Sequence, residues 1–314
     1  MSNKLIVIDW GTSNFRAQLL DQGGTVCDSF SSEKGVGKLT REAMREEVLQ
    51  LHNLWPDANA DILACGMVGS SLGLVEAPYL SCGVGTADIA AAITTTAVDD
   101  IQLHIVPGVR CHNTATGWDV MRGEELQAVG WAALQTDGSK ASGLCVMPGT
   151  HSKWARLQEG RIEHFSTAMT GEIFALLTQQ GLLRHHITAD VAYGPAFERG
   201  LAQGAQQTGL ARHLFSVRAN SLHRELSTAD ASGFVSGLLI GAEIADALVL
   251  NNWTAASGPV HIIGASKLIE LYSKALAYFK VESTTTDSHR ATTAGFLAVH
   301  WEMQHRKMEA THEC

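Results

Sequence analysis

Leu5–Gln18 reads LIVIDWGTSNFRAQ. An apolar run delivers Asp9 to a turn at Gly11, Thr12, Ser13 and Asn14 stand at its tip, and a second run starts at Phe15. Gly11 lacks a Cβ, so backbone N–H groups can approach the oxygens of a phosphate. Thr12, Ser13 and Asn14 add side-chain donors. An ionised Asp9 only accepts, so beside a phosphate it needs a cation or metal-bound waters, and Mg²⁺ is the expected ion. The competing reading is an ordinary hairpin turn. The turn is not a Walker loop, because G-x-x-x-x-G-K-[ST] is absent and the next element is a strand. Nor is it the G-x-G-x-x-G of dinucleotide folds, which opens a helix.

Three further segments could do chemistry. In Asp119–Gln127, Gly123 stands at a helix entrance and is followed by Glu124 and Glu125. Successive helix positions diverge by about 100°, so one carboxylate faces a given site while the other caps the helix or meets solvent. Arg122 can grip a carboxylate or phosphate with two parallel bonds. The plain alternative is an acidic first turn that complements the helix dipole. Pro148-Gly149-Thr150-His151-Ser152-Lys153 is a second glycine turn with hydroxyls. His151 and Lys153 could add positive charge there, and His151 reads equally well as structural. Last, an apolar run at Val260–Ile263 enters Gly264-Ala265-Ser266 at a helix start. That is either a nucleotide contact made by free N–H groups at the positive dipole end, or a tight strand-to-helix turn.

The elements that must position these residues fall into two similar halves. The first opens as a meander of strands 4–9, 15–20 and 26–31, with a Gly23-Gly24 turn. A helix over 41–54 stopped by Pro56, a buried strand over 61–65, a glycine-rich stretch over 66–84, a strand over 103–106 and a helix from Met121 to Leu134 follow. Polar residues 136–142 mark a domain boundary, giving domains 1–138 and 139–314. The second half restarts the plan, with strands 143–147, 154–157 and 161–166 around the Gly149 turn. Helices over 171–180, 190–203, 211–215 and 228–250, the strand and helix around Gly264, and a last helix over 290–304 complete it. The last helix is expected to return to the first domain. Two halves that each present a phosphate-type turn suggest a duplicated α/β fold around a cleft.

Composition bounds the function. The 314 residues are 45% hydrophobic and 18% charged, enough for a sizeable core and too apolar for disorder. A net charge of -9 argues against a nucleic-acid surface while leaving room for a local cationic pocket. The six cysteines Cys27, Cys65, Cys82, Cys111, Cys145 and Cys314 form no C-x-x-C pair, so buried thiols in a reducing cytosol are expected. The 14 histidines include no H-E-x-x-H and no clean zinc spacing, so zinc chemistry is unsupported. Met1–Lys4 runs into a strand with no signal, and the apolar stretch 233–250 is interrupted by Glu243 and Asp246. A cytoplasmic protein with no membrane partner is expected. A homodimer is compatible with the chain.

The strand–turn–strand phosphate loop resembles the first phosphate motif of the actin-like ATPase superfamily. The resemblance implies an α/β, two-domain actin-like ATPase (ribonuclease H-like) fold with an interdomain cleft. Exopolyphosphatases of that superfamily carry a similar Gly-x-Glu helix whose glutamate acts as base, which points to Glu125 first and Glu124 second. Several segments together resemble one family, the 2-dehydro-3-deoxygalactonokinases. They are Ile8–Arg16, Gly66-Met67-Val68-Gly69-Ser70, Val75–Tyr79, Asp119–Glu125, Pro148–Trp154 and Met169–Phe174, in order and over nearly the whole chain. The resemblance implies ATP and Mg²⁺, and transfer of the γ-phosphoryl to the 6-hydroxyl of 2-dehydro-3-deoxy-D-galactonate. Arg16, Arg122, Gly69 and Ser70 are then candidates for holding the sugar acid. Where the family pattern continues Arg-Gln-Gly-Trp after Gly-Met-x-Gly-Ser, this chain has Ser71-Leu72-Gly73-Leu74. Either Arg110 or another cation compensates, or the accepted sugar acid differs. An exopolyphosphatase-like hydrolase and a non-catalytic module of the same fold are the alternatives. The first would want a basic channel and the second an added segment. A kinase of this shape is expected to close on its substrates and so limit wasteful ATP hydrolysis.

Overall fold

The computed structural model describes residues 4–56, 62–114, 116–136 and 141–312. Its strands are β1 (Leu5–Trp10), β2 (Phe15–Leu20), β3 (Val26–Ser32), β4 (Ile62–Gly66), β5 (Tyr79–Ser81), β6 (Thr94–Val98), β7 (Ile101–Ile105), β8 (Gly108–Asn113), β9 (Gly117–Met121), β10 (Gly143–Met147), β11 (Ser152–Gln158), β12 (Arg161–Ala168), β13 (Val260–Gly264) and β14 (Ser283–Asp287). Its α-helices are α1 (Arg41–Leu54), α2 (Thr86–Ala91), α3 (Glu124–Ala133), α4 (Thr170–Gln179), α5 (Pro195–Gly204), α6 (Leu210–Leu222), α7 (Thr228–Leu250), α8 (Ser266–Tyr278) and α9 (Ser288–His312).

Two sheets repeat one plan. The first runs β3-β2-β1-β4-β7-β6 and the second β12-β11-β10-β13-β14. In each, a three-strand meander ends on a strand that pairs in parallel with the next apolar strand, β1 with β4 and β10 with β13. The echo expected from the two glycine turns is therefore present in strand order. A third sheet, β5-β8-β9, stands apart.

The chain packs as two units. One comprises Met1–Ser142, Leu157–Phe165 and Ser288–Cys314, and the other Gly143–Arg156 and Ser166–Asp287. In the first, Ile6, Ile8 and Trp10 of β1 and Ile62 and Ala64 of β4 meet Met44, Val48 and Leu51 of α1. The helix starts where the Thr40 side chain accepts the Ala43 N–H at 3.2 Å and stops before Pro56. Also in the first unit, α9 lies against α3, and a Cβ at Gly130 would come within 1.9 Å of the Ala291 carbonyl. In the second, Leu144 and Val146 of β10, Val260 and Ile262 of β13, Ile240 and Ile244 of α7, and Leu271 and Leu276 of α8 form one core. A smaller cluster joins Phe234 and Leu238 of α7 to Val217 of α6 and to Leu183. Helix α7 is long and apolar enough to cross a membrane by length and composition. It is apolar on nearly all sides because it is buried on nearly all sides.

Some expected boundaries move for identifiable reasons. The helix expected from Met121 starts at Glu124, because Gly123 has φ +110°, which no helix admits. The segment before it is strand β9, paired antiparallel with β8. The helix expected from Asp190 starts at Pro195, with proline at the first helical position. The 211–215 expectation extends to Leu210–Leu222. Asp61 and the boundary at 138/139 lie outside the described residues.

Candidate active site

In the first unit the strand ends and one helix start converge. Asp9 faces Arg16 on β2 and Cys65 on β4 across the ladder. Its Oδ2 lies 3.7 Å from Arg16 Nη1, and its Oδ1 lies 3.9 Å from Cys65 Sγ, the thiol acting as donor. The Asp9 side chain keeps 36% of its surface accessible, yet it sits in a concavity shared with Val7, Gln18 and His289. Desolvation there pushes its carboxyl above the usual range, and the Arg16 and His289 charges oppose the shift. The Gly11–Asn14 turn closes with Gly11 N–H donating to the Asn14 carbonyl at 2.9 Å, and Thr12, Ser13 and Asn14 are exposed.

Gly123 turns the chain into α3, and its N–H donates to both Glu125 oxygens, at 2.8 and 2.7 Å. Glu125 has no accessible surface. Burial first, then the charge of Glu124, pushes its carboxyl up to about 8, against hydrogen bonds from the backbone and the Arg122 charge. Glu124 is half-buried and accepts the Arg122 N–H at 3.2 Å. The buried Cys65 thiol is pushed well up by desolvation and then by Asp9, Glu125 and Glu124. Asp9, Glu125 and Glu124 thus each act on one buried thiol, Asp9 in direct contact with it.

Arg122 forms the adjoining cationic wall. Its Nη2 donates to the Ala77 carbonyl at 2.8 Å, its Nε to Tyr79 Oη at 3.4 Å, and its guanidinium lies 4.2 Å from the centre of the Tyr79 ring. Its Nη1 is buried and has no hydrogen-bond partner among the described residues. A Cβ at Gly69 would stand 2.9 Å from that nitrogen. The Gly66–Ser70 loop therefore reaches Arg122 through Gly69. The Ser70 hydroxyl, expected to meet substrate, instead donates to the Met67 carbonyl at 2.7 Å and closes its own turn.

The second unit carries the other turn. Gly149, Thr150 and His151 stand at its surface side, whereas Ser152 and Lys153, expected on the turn, lie inside β11 and are buried. Ser152 Oγ is 3.1 Å from Tyr272 Oη, a structural contact. His151 Nε2 is 2.5 Å from Glu172 Oε2, which ties the turn to α4. A Cβ at Gly171 would come within 2.2 Å of the Gly149 carbonyl, so only glycine lets the start of α4 pack against the turn. A largely apolar cavity of about 200 Å³ opens beside Gly149, walled by Phe174, Val191, Leu239, Leu271 and Tyr272, with Lys267 at its edge. The parallel pairing of β10 with β13 brings the Gly264 turn beside Pro148. Lys267 and Leu271, on the helix that Gly264-Ala265-Ser266 opens, reach this cavity.

Sequence reasoning missed several residues. Arg41, first in α1, donates from Nε to the Gly73 carbonyl at 3.0 Å and from Nη2 to the Ser71 carbonyl at 3.2 Å. It is the cation on the unusual Ser71–Leu74 segment, while Arg110 stacks over Trp118 on the third sheet. Cys65, Tyr79 and Glu243 carry no local signal, because each acts through partners distant in the chain.

A sequence model of the 2-keto-3-deoxy-galactonokinase family matches residues 9–299. The chain belongs to that family. It is 33% identical over 299 residues to the 2-dehydro-3-deoxygalactonokinase of Escherichia coli K12, covering 95% of this chain and 98% of the relative. It is 36% identical over 300 residues to a protein named probable 2-dehydro-3-deoxygalactonokinase from Rhizobium meliloti 1021, covering 93% and 94%. A Sinorhizobium meliloti crystal structure, described in provisional terms as a 2-dehydro-3-deoxygalactonokinase, superposes with a TM-score of 0.85 at 34% identity, covering 94% and 97%. The activator of 2-hydroxyisocaproyl-CoA dehydratase from Clostridium difficile, solved with ADPNP, reaches 0.52 at 12% identity over 97% of each chain and shares the fold. This kinase accordingly has the actin-like α/β fold that its two glycine turns suggested.

Proposed function

We propose that this kinase transfers the γ-phosphoryl of Mg·ATP to the 6-hydroxyl of 2-dehydro-3-deoxy-D-galactonate in the cytoplasm. The observation that carries the reading is the approach of the Gly123 turn, which starts the Glu124–Glu125 helix, to Gly66, next to Cys65 and its Asp9 contact, with the Arg122 guanidinium against Gly69. Phosphoryl transfer asks a protein mainly to position groups and neutralise charge.

Glu124 takes the proton of the attacking hydroxyl, because that residue is only half-buried while Glu125 has no accessible surface. On this reading Glu124 is placed before Glu125, the opposite of the order that the Gly-x-Glu parallel suggested. Glu125 holds Gly123 and so aims the start of α3. Arg122 and Arg16 hold the carboxylate of the sugar acid, with Gly69 leaving room at the Arg122 guanidinium.

Asp9 fits Mg²⁺ in one way only. Among the described residues its side chain makes only long contacts, to Arg16 and Cys65, and no group of three His, Cys, Asp or Glu side chains suited to an ion occurs among them. Asp9 would therefore hold the ion together with waters and phosphate oxygens. When bound, the ion supplies neutralising charge to the transferring phosphoryl group. The Gly11–Asn14 turn and Gly149, Thr150 and His151 bind phosphates, with the start of α4 behind the second turn. The apolar cavity receives the adenosine, and Gly264-Ala265-Ser266 sets the helix that walls it.

Phosphorus–proton correlation NMR of the product tests the assignment. Coupling of the phosphorus to the C6 methylene protons is expected. Phosphate on another oxygen, or inorganic phosphate alone, would contradict it.

A further inference from the structure

A buried carboxylate of the second unit is engaged by donors that belong to the walls of the nucleotide side. Glu243 lies in the middle of α7 with 6% of its surface accessible. Its Oε1 accepts the Trp154 Nε1–H at 2.8 Å, and its Oε2 accepts the Tyr272 hydroxyl at 2.7 Å. The Thr170 and Ser152 side chains also hydrogen-bond to it. An ionised carboxylate offers about four lone-pair positions, and here polar side chains from three elements approach them, Ser152 sharing its one proton between the carboxylate and Tyr272 Oη.

These donors sit where the nucleotide is proposed to bind. Ser152 and Trp154 open β11 directly after Gly149, Thr150 and His151. Thr170 opens α4 and precedes Gly171, whose contact with Gly149 has no room for a side chain. Tyr272 comes from α8 and, with Thr170 and Gly149, lines the apolar cavity. An acidic group inside so apolar a helix is costly to desolvate, and a hydrocarbon of similar size would pack there at lower cost. What the hydrocarbon could not do is hold a turn, a helix start and a tyrosine in one register.

We propose that Glu243 is a positioning residue for the nucleotide. It locks the Gly149–His151 turn, the start of α4 and Tyr272 together, so that phosphate turn and cavity form one preorganised surface. The inference rests on the reading that the second unit holds ATP.

Full-length Glu243→Gln, Tyr272→Phe and wild-type enzyme are compared in steady-state kinetics, with ATP and sugar acid varied separately, and in calorimetric titration with ADP. The glutamine places an amide NH₂ against a donor, so at least one partner is lost. The ATP KM is expected to rise about tenfold in Glu243→Gln and about threefold in Tyr272→Phe, with the sugar-acid KM within about twofold of wild type. Tyr272→Phe keeps the ring, so the test stands even if Glu243→Gln fails to fold. Both KM values moving together, or neither moving, would overturn the proposal. ADP binding by wild type with unchanged affinity in both variants would overturn the positioning role alone. No ADP binding by wild type would overturn the nucleotide reading and this inference with it.

Discussion

Glu124 and Glu125 are neighbours in sequence with opposite surroundings. One is half-buried, and the other is sealed against the Gly123 N–H. Their substitution should therefore have different signatures. Glu124→Gln is expected to lower kcat by about a hundredfold or more with the ATP KM little changed, since a general base contributes on the order of 10²–10⁴ in rate. If Glu125→Gln showed that loss and Glu124→Gln did not, the roles would be exchanged. Glu125 also links to stability. Its folded carboxyl is raised to about 8, above the value of roughly 4.3 for an unfolded chain. Between those limits the folded state binds more protons than the unfolded state, so this contribution is present in full below about pH 4, declines as pH rises and is gone above about pH 8. Melting temperature should drop between pH 6 and pH 9 in wild type and drop less in Glu125→Gln. Equal drops would remove Glu125 as the source.

At the scale of elements, the meander with its glycine turn was legible because β1 and β10 are short apolar runs ended by glycine. Helix α1 was legible from its four buried positions and its proline stop. What failed to show was strand with no apolar signature. In β14, Ser283–Asp287 is polar throughout and is strand because it pairs in parallel with β13. In β6, Thr94–Val98 is an edge strand whose partner, β7, supplies the reason for it. Strands β8 and β9 alternate buried and exposed residues, yet Met121 reads as the start of a helix until Gly123 is seen at positive φ. In the candidate site, Asp9, Gly123 and the paired glutamates were visible because turn chemistry is local. Arg41 and Glu243 were not, because their partners lie on other elements. The Gly123 turn carries an element-level prediction. A Cβ there would meet only the Gly66 backbone, Cα at 3.6 Å and N at 3.9 Å, both ordinary contacts, so Gly123→Ala is a test of backbone conformation rather than of space. It should destabilise the fold by about 1–3 kcal/mol in chemical denaturation and lower kcat/KM by displacing Glu124. An unchanged midpoint and rate would mean that this strain is absent.

At the scale of the molecule, two sheets of one strand order carry different chemistry. The first unit brings carboxylates and Arg122 together, and the second offers a glycine turn, a helix start and an apolar cavity. The net charge of -9 does not oppose an anionic substrate, because Arg16, Arg122 and Arg41 are local to the first unit. The family match covers residues 9–299, so the kinase activity belongs to the chain as a whole. The most direct measurement is acceptor-dependent ADP release with Mg·ATP. It is run with 2-dehydro-3-deoxy-D-galactonate, with its gluconate epimer and with no acceptor. Release that requires the galactonate compound is predicted, with little release when it is omitted. Equal ADP release with and without any sugar acid would contradict the account.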